Sequence, residues 1–242
     1  MIQKNKSWLF VLFFILCISL IIPLPYYLVK PGHSHLVYEV MTSKAKLTAN
    51  QNGQWLFLTV KLSQMNLITY MKNKFDARVR VIPKSSLIKD GDLKSYLDEQ
   101  KEIMKNAQQS ALRCANERAE KIRSTASIDQ IEFFSTDVGG PSAGLMMCLG
   151  ALDLLVPEDL SNGKRIAGTG MILENEQVGD VGGLELKIYV AEQANADLFL
   201  FPRNQQNLLI VEEYQKENTT SSLQFCPVNT ITDALTCIKN NS

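Results

Sequence analysis

The sequence predicts an α+β fold, mixed α/β layers behind one N-terminal transmembrane helix, and two observations carry that expectation. Residues 8–29 hold no charged side chain and open with WLFVLFFILCISLII. Beyond them, stretches with an apolar period of two and stretches with a period near 3.6 succeed one another, the pattern of strands and helices sharing one core.

The uncharged run is long enough, at about 1.5 Å per helical residue, to reach across roughly 30 Å of hydrocarbon. Pro23 and Pro25 mark its expected end, Tyr26 and Tyr27 suit an interfacial belt, and Lys4 and Lys6 flank the other side. The expected division is therefore a short cytoplasmic N-terminus at 1–7, a bilayer anchor at 8–29, a juxtamembrane segment at 30–49 and a folded domain at 50–242. With the basic flank inside, the anchor is single-pass in the cell membrane and the domain is extracellular.

A strand is expected at Trp55 to Leu62, a short helix at Leu67 to Phe75 and a second strand at Ala77 to Ile82. From Leu93 to Ile122 apolar residues recur at helical spacing (Ile103, Met104, Ala107, Ala111, Leu112, Ala115), which suits a scaffold helix. Ile128 to Phe134 should be a strand leading into a glycine-rich turn, and Leu145 to Leu155 a buried helix. A strand at Ile166 to Ile172, a helix at Leu184 to Ala194, a strand at Leu198 to Phe201, a helix at Leu208 to Tyr214 and a strand at Phe225 to Val228 complete the pattern. Thr230 caps a last helix through Ala234 and Leu235.

Composition excludes more than it assigns. Lys plus Arg and Asp plus Glu both number 25, so the chain offers no strong field for nucleic acid. His33 and His35 are the only histidines and no paired Cys/His spacing suggests zinc, so neither a metal nor another cofactor is expected. Cys17 falls in the apolar run, and Cys114 and Cys148 suit buried thiols. Cys226 and Cys237 could form a disulfide in an oxidising exterior.

Chemistry concentrates in two glycine-rich turns. In DVGGPSAG, Asp137 to Gly144, the glycines and Pro141 permit a tight turn that puts Ser142 at a helix mouth, among backbone N–H groups able to hold an oxyanion. The same position also suits a plain N-cap serine. Lys187, in VGGLELKIYVAEQANA, is flanked by Leu184, Leu186 and Ile188. Held neutral by burial it would be a base for Ser142, which takes roughly 3 kcal/mol of differential destabilisation; left exposed it is a solvated helix lysine.

The two turns, with IAGTGMI at Ile166 to Ile172 and the string from Val178 to Pro202, resemble the Lon-type proteolytic domain, and more closely its small membrane-anchored relatives in Gram-positive bacteria. The resemblance covers residues 50–242 and is clear from 131 onward. It implies a Ser142 nucleophile and a Lys187 base, with Thr169 orienting the lysine. Gly140 and Pro141 support the serine turn, and Asp137 matches an acidic position near the site without a proton-transfer role. It implies a serine endopeptidase acting on extended peptides or exposed protein segments, and makes a homo-oligomer plausible. No GxxxxGK[ST] loop occurs, so no ATPase domain is expected in the chain and cleavage should not need ATP. The span between Leu93 and Gly139 leaves no room for the PDZ domain such relatives carry. The alternative is a catalytically inactive, membrane-tethered binding or scaffold protein. An anion cradle at GGPSAG is a weaker one, because no basic cluster accompanies the turn.

Overall fold

A computed structural model describes residues 3–43, 53–88, 92–122, 131–134 and 137–241. The chain divides into two compact units, one of residues 1–31 and 60–92, the other of residues 32–59 and 93–242.

The smaller unit contains α1 (Gln3–Ile21), the first half of strand β1 (Tyr26–Leu36), the second half of β3 (Gln54–Gln64), α2 (Leu67–Asn73), β4 (Arg80–Pro83) and the single turn α3 (Lys84–Leu87). Here the structure corrects the expected anchor. Among the described residues no helix is long and apolar enough to cross a membrane. Helix α1 ends at Ile21, before Pro23 and Pro25, and the remainder of the apolar run enters a strand. Tyr26 to Val29 pair antiparallel with Arg80 to Pro83, and Tyr27, Leu28 and Val29 are buried. Tyr27 is thus a core residue, not part of an interfacial belt. Backbone bonds from Leu24 N to Met65 O (2.8 Å) and from Met65 N to Tyr26 O (3.1 Å) hold the start of β1 against the end of β3. Asn66 and Thr69 form a reciprocal capping box at the start of α2, and the helix ends at Asn73, two residues short of the expected Phe75. The strand expected from Ala77 begins only at Arg80, after a turn closed by Asp76.

In the larger unit the strand order is β10-β9-β6-β3-β1, with β6 Arg165–Gly168, β9 Leu198–Pro202 and β10 Gln224–Val228. The pairs β3/β6, β6/β9 and β9/β10 are parallel, in registers that set Trp55 beside Ile166, Ile166 beside Leu198 and Phe199 beside Phe225. Parallel strands buried on both faces need apolar residues at every position, and side-chain alternation sorts them. Trp55, Phe57, Ile166, Leu198, Leu200, Cys226 and Val228 enter one core. Its helices are α4 (Leu93–Lys121), α5 (Gly144–Leu155) and α8 (Ile231–Asn240). Leu56, Leu58, Ala167, Phe199 and Phe201 face the opposite core, under α6 (Leu184–Gln193) and α7 (Gln205–Glu217). The result is a mixed α/β architecture of helix, sheet and helix layers.

Four of these helices have the positions expected from the sequence, and α7 is longer, because Asn204 accepts from Asn207 N and starts it three residues early. Thr230 caps α8 together with Asp233. Strand β2 (Met41–Ser43) pairs with β5 (Ile131–Phe133). The first part of the strand expected at Ile128, and the expected domain start at residue 50, lie outside the described residues.

Small buried residues on α4, Ala107, Ala111 and Ala115, let it approach α5 closely. The approach brings Cys114 and Cys148 to a Cα–Cα distance of 6.0 Å, where they form a disulfide instead of remaining thiols. Cys226 and Cys237 are paired as well. Near the far end of α5 the buried carboxylate of Asp153 accepts from Tyr38 Oη (2.6 Å), Trp55 Nε1 (3.1 Å) and Leu160 N (2.7 Å). Burial pushes its pKa up, and these three donors act in the opposite sense.

Candidate active site

The segment expected to form one strand over Ile166 to Ile172 is broken in two, and the break builds the site. Strand β6 stops at Gly168, and the chain resumes as β7 (Met171–Ile172), which pairs antiparallel with β8 (Val178–Gly179). At the gap, Thr169 N still donates to Leu200 O (2.9 Å), which keeps Thr169 on the sheet, while Gly170 N donates to Ser142 O (2.9 Å) and Gly170 O accepts from Leu145 N (2.9 Å). The serine turn is therefore strapped to the end of β6 by its backbone.

Ser142 itself lies two residues ahead of α5. The N-cap of that helix is Ala143, with no side-chain cap, so the hydroxyl of Ser142 does not have the capping role that the sequence left open. The turn is shaped by its glycines. Gly140 has φ 90°, a backbone conformation costly for a residue with a Cβ, and its N–H donates to Gln100 O on α4 (2.8 Å). A Cβ at Gly139 would lie 2.7 Å from Gln100 Cβ, so this position admits only glycine without displacing the helix. Pro141 closes the turn, its carbonyl accepting from Gly144 N (3.2 Å).

Thr169 is wholly buried; its Oγ1 donates to Ser142 O at 3.2 Å and accepts from Lys187 Nζ at 2.9 Å. Lys187 projects from the first turn of α6, which begins after Gly183 in the left-handed region (φ 73°). Only 3 % of it is exposed, among Leu184, Leu186 and Ile188, and burial lowers its pKa to about 8. The carboxylate of Asp180 acts in the other direction, favouring the charged lysine. A lysine in this state is a competent proton acceptor near neutral pH, one threonine away from the backbone of a serine at a helix mouth.

Of the residues singled out in the sequence, Ser142, Thr169 and Lys187 are brought together by this chain of hydrogen bonds, with Gly140 and Pro141 in the turn that carries the serine. Asp137 stands apart: its side chain is fully exposed and lies 3.5 Å from Lys101 Nζ. Sequence reasoning missed Asp180 and its support. Asn207, buried at the start of α7, donates through Nδ2 to Asp180 Oδ1 (3.0 Å) and to Pro202 O (2.9 Å). Asp180 stood in the quoted string, but its partner is 27 positions away and no local spacing announces it. Also unforeseen was Glu176, held at φ 60° by Lys121 Nζ (2.5 Å) and Arg118 Nη1 (3.5 Å), which fastens the turn between β7 and β8 to the end of α4.

Residues 79–239 match the family model of the Lon protease (S16) C-terminal proteolytic domain. No curated protein matches the chain. The matched span contains the serine turn, Thr169 and Lys187 alike.

Proposed function

Because the chain belongs to the Lon protease (S16) proteolytic-domain family, and so carries a serine peptidase domain acting on peptide or protein substrates, we propose that Ser142 is its nucleophile and Lys187 its general base. The observation that carries this reading is the burial of Lys187, with its pKa lowered to about 8, bonded to Thr169, which in turn bonds Ser142 O.

In the proposed reaction neutral Lys187 takes the proton from Ser142 Oγ as that oxygen attacks the peptide carbonyl. The amides of Gly144 and Leu145 already donate to Pro141 O and Gly170 O, so those of Ser142 and Ala143 are the candidate oxyanion donors. As the C–N bond breaks, protonated Lys187 gives its proton to the departing amine. Water, deprotonated by Lys187, then attacks the ester carbonyl, and the lysinium returns its proton to Ser142 Oγ as the acyl group leaves as the acid. Thr169 fixes the lysine end of the path and, through Ser142 O, the serine end.

The substrates are extended peptides or locally unfolded segments, and cleavage proceeds without ATP, in keeping with the lack of a GxxxxGK[ST] loop in the sequence. The two disulfides support an oxidising compartment outside the cytoplasm. The test is turnover of a short unstructured peptide together with fluorophosphonate labelling. Ser142→Ala should abolish both. Lys187→Arg keeps the length and charge of the side chain but cannot act as a base, so turnover should be lost while the fold is retained. Near-wild-type turnover by folded Lys187→Arg would reject the dyad.

A further inference from the structure

Asp180 follows β8 directly and opens the loop that leads into α6. Its side chain is exposed yet fixed. Oδ1 accepts from Val181 N (2.8 Å) and from Asn207 Nδ2 (3.0 Å), and Asn207 is itself only 4 % exposed. No donor among the described residues reaches Oδ2, and Asp180 has no ion-pair partner among them. The surrounding charge is one-sided. Residues 166–186 contain Glu174, Glu176, Asp180 and Glu185 but no Lys or Arg. Glu176 is paired with Lys121 and Arg118 of α4, and Lys187, the next cation along the chain, is buried against Thr169.

The Asp180 carboxylate is near enough to Lys187 to favour its charged form, which sets it beside the proposed reaction centre. Two residues on, Gly182 lacks the reasons that explain the neighbouring glycines. Gly139 would collide with Gln100 if it carried a Cβ, and Gly183 has a positive φ. At Gly182 the φ is not in the left-handed region, and a Cβ would meet no heavy atom within 4 Å. Alanine there would fit and would restrict the unfolded chain, so the missing side chain serves no packing within the protein. It keeps the approach to the first turn of α6 open.

We infer that Asp180 is a specificity-determining residue: it receives a lysine or arginine side chain flanking the scissile bond, and Gly182 keeps open the path by which the peptide reaches it. A carboxylate already held by two N–H donors loses little freedom on pairing, so it attracts a substrate cation more effectively than a mobile surface carboxylate does. An acidic side chain in the same place meets the like charges of Asp180 and Glu174 and is disfavoured. The favoured substrates are therefore basic extended segments. The assignment rests on the Ser142–Lys187 reading, which says where the peptide lies.

The experiment uses pairs of internally quenched peptides that differ only in lysine against norleucine, placed in turn at each position flanking the cleaved bond. At one of these positions kcat/KM should be about fivefold higher for the lysine peptide, chiefly through KM. Asp180→Asn should abolish the preference, and the ratio of two peptides on one protein cancels any change in Lys187. Asp180→Lys should invert it in favour of a glutamate peptide. Gly182→Leu should lower kcat/KM for both peptides at an unchanged denaturant midpoint, and undiminished turnover would reject the path past Gly182. Fluorescence anisotropy of the labelled peptides on Ser142→Ala should show the same preference in Kd. Binding preference therefore stands apart from the identity of the nucleophile, whereas residual turnover by Ser142→Ala would count against the dyad alone. Equal kcat/KM for lysine and norleucine at every flanking position, or a preference that persists in folded Asp180→Asn, would overturn the assignment.

Discussion

Lys187 Nζ donates to Thr169 Oγ1 at 2.9 Å, and the same threonine oxygen donates to the backbone carbonyl of Ser142 at 3.2 Å. One buried hydroxyl therefore fixes both ends of the proposed proton path. The bond also holds an amine where its charged form is poorly solvated, and stability and catalysis should trade against each other there.

That trade should show in how stability depends on pH. With a folded pKa of about 8 against about 10.4 for an unfolded lysine, the folded state releases its proton first. Between these values the unfolded chain binds more protons, so stability rises with pH there and the cost of the buried charge is fully present below pH 8. Lys187→Met removes that cost. It should be more stable than wild type at pH 7 by about 1–3 kcal/mol, after loss of the Thr169 bond, and the gap should narrow as pH approaches 10. Denaturant midpoints at the two pH values check it, and a variant less stable than wild type at pH 7 would contradict it.

Thr169→Val keeps the shape of the side chain but removes both hydrogen bonds. Turnover should fall by roughly tenfold or more, a large share of what a positioned base contributes, with little change in KM. Thr169→Ser keeps the hydroxyl and should restore most of kcat. Equal losses in the two variants would mean that packing, not the hydroxyl, matters at this position.

Asp180 favours protonated Lys187, so Asp180→Asn should lower the lysine pKa further. The rise of kcat/KM with pH should then occur at lower pH than in wild type. Because Asp180 is exposed, added salt should shrink the difference between the two proteins. Asn207→Ala removes one of two bonds to Asp180 Oδ1, the other being from Val181 N (2.8 Å), and should shift the profile in the same direction by less. An unmoved profile in Asp180→Asn would remove this carboxylate from the account.

The Cys114–Cys148 disulfide closes a separation of 34 residues, Cys226–Cys237 one of 11. Removing the longer cross-link by Cys114→Ala/Cys148→Ala should cost about 2–4 kcal/mol, more than removing the shorter. Urea unfolding under non-reducing conditions gives both values, and the opposite order would show that native packing outweighs loop closure.

Local chemistry made the strand at β3, the helices α4, α5, α6 and α8 and the serine turn legible, because a continuous apolar period or a capping residue fixes each of them within a few positions. The span from Tyr26 to Val29 was not legible. A strand buried on both faces and the end of a bilayer span share one composition, and only pairing with Arg80 to Pro83 distinguishes them. The pairing of Cys114 with Cys148 likewise depends on α4 meeting α5, a long-range contact that neither helix records.

At the site the division is sharper. The sequence by itself determined where the candidates lie, Ser142 in a glycine-rich turn and Lys187 in an apolar helix start, since backbone freedom and side-chain type are local properties. Only the tertiary structure decided that the strand breaks after Gly168, that Thr169 joins lysine to serine, and that Asp180, held by Asn207, opposes the burial of Lys187. Burial and electrostatic coupling depend on groups that the chain brings together from distant positions, and these set the proton affinity on which a lysine base depends.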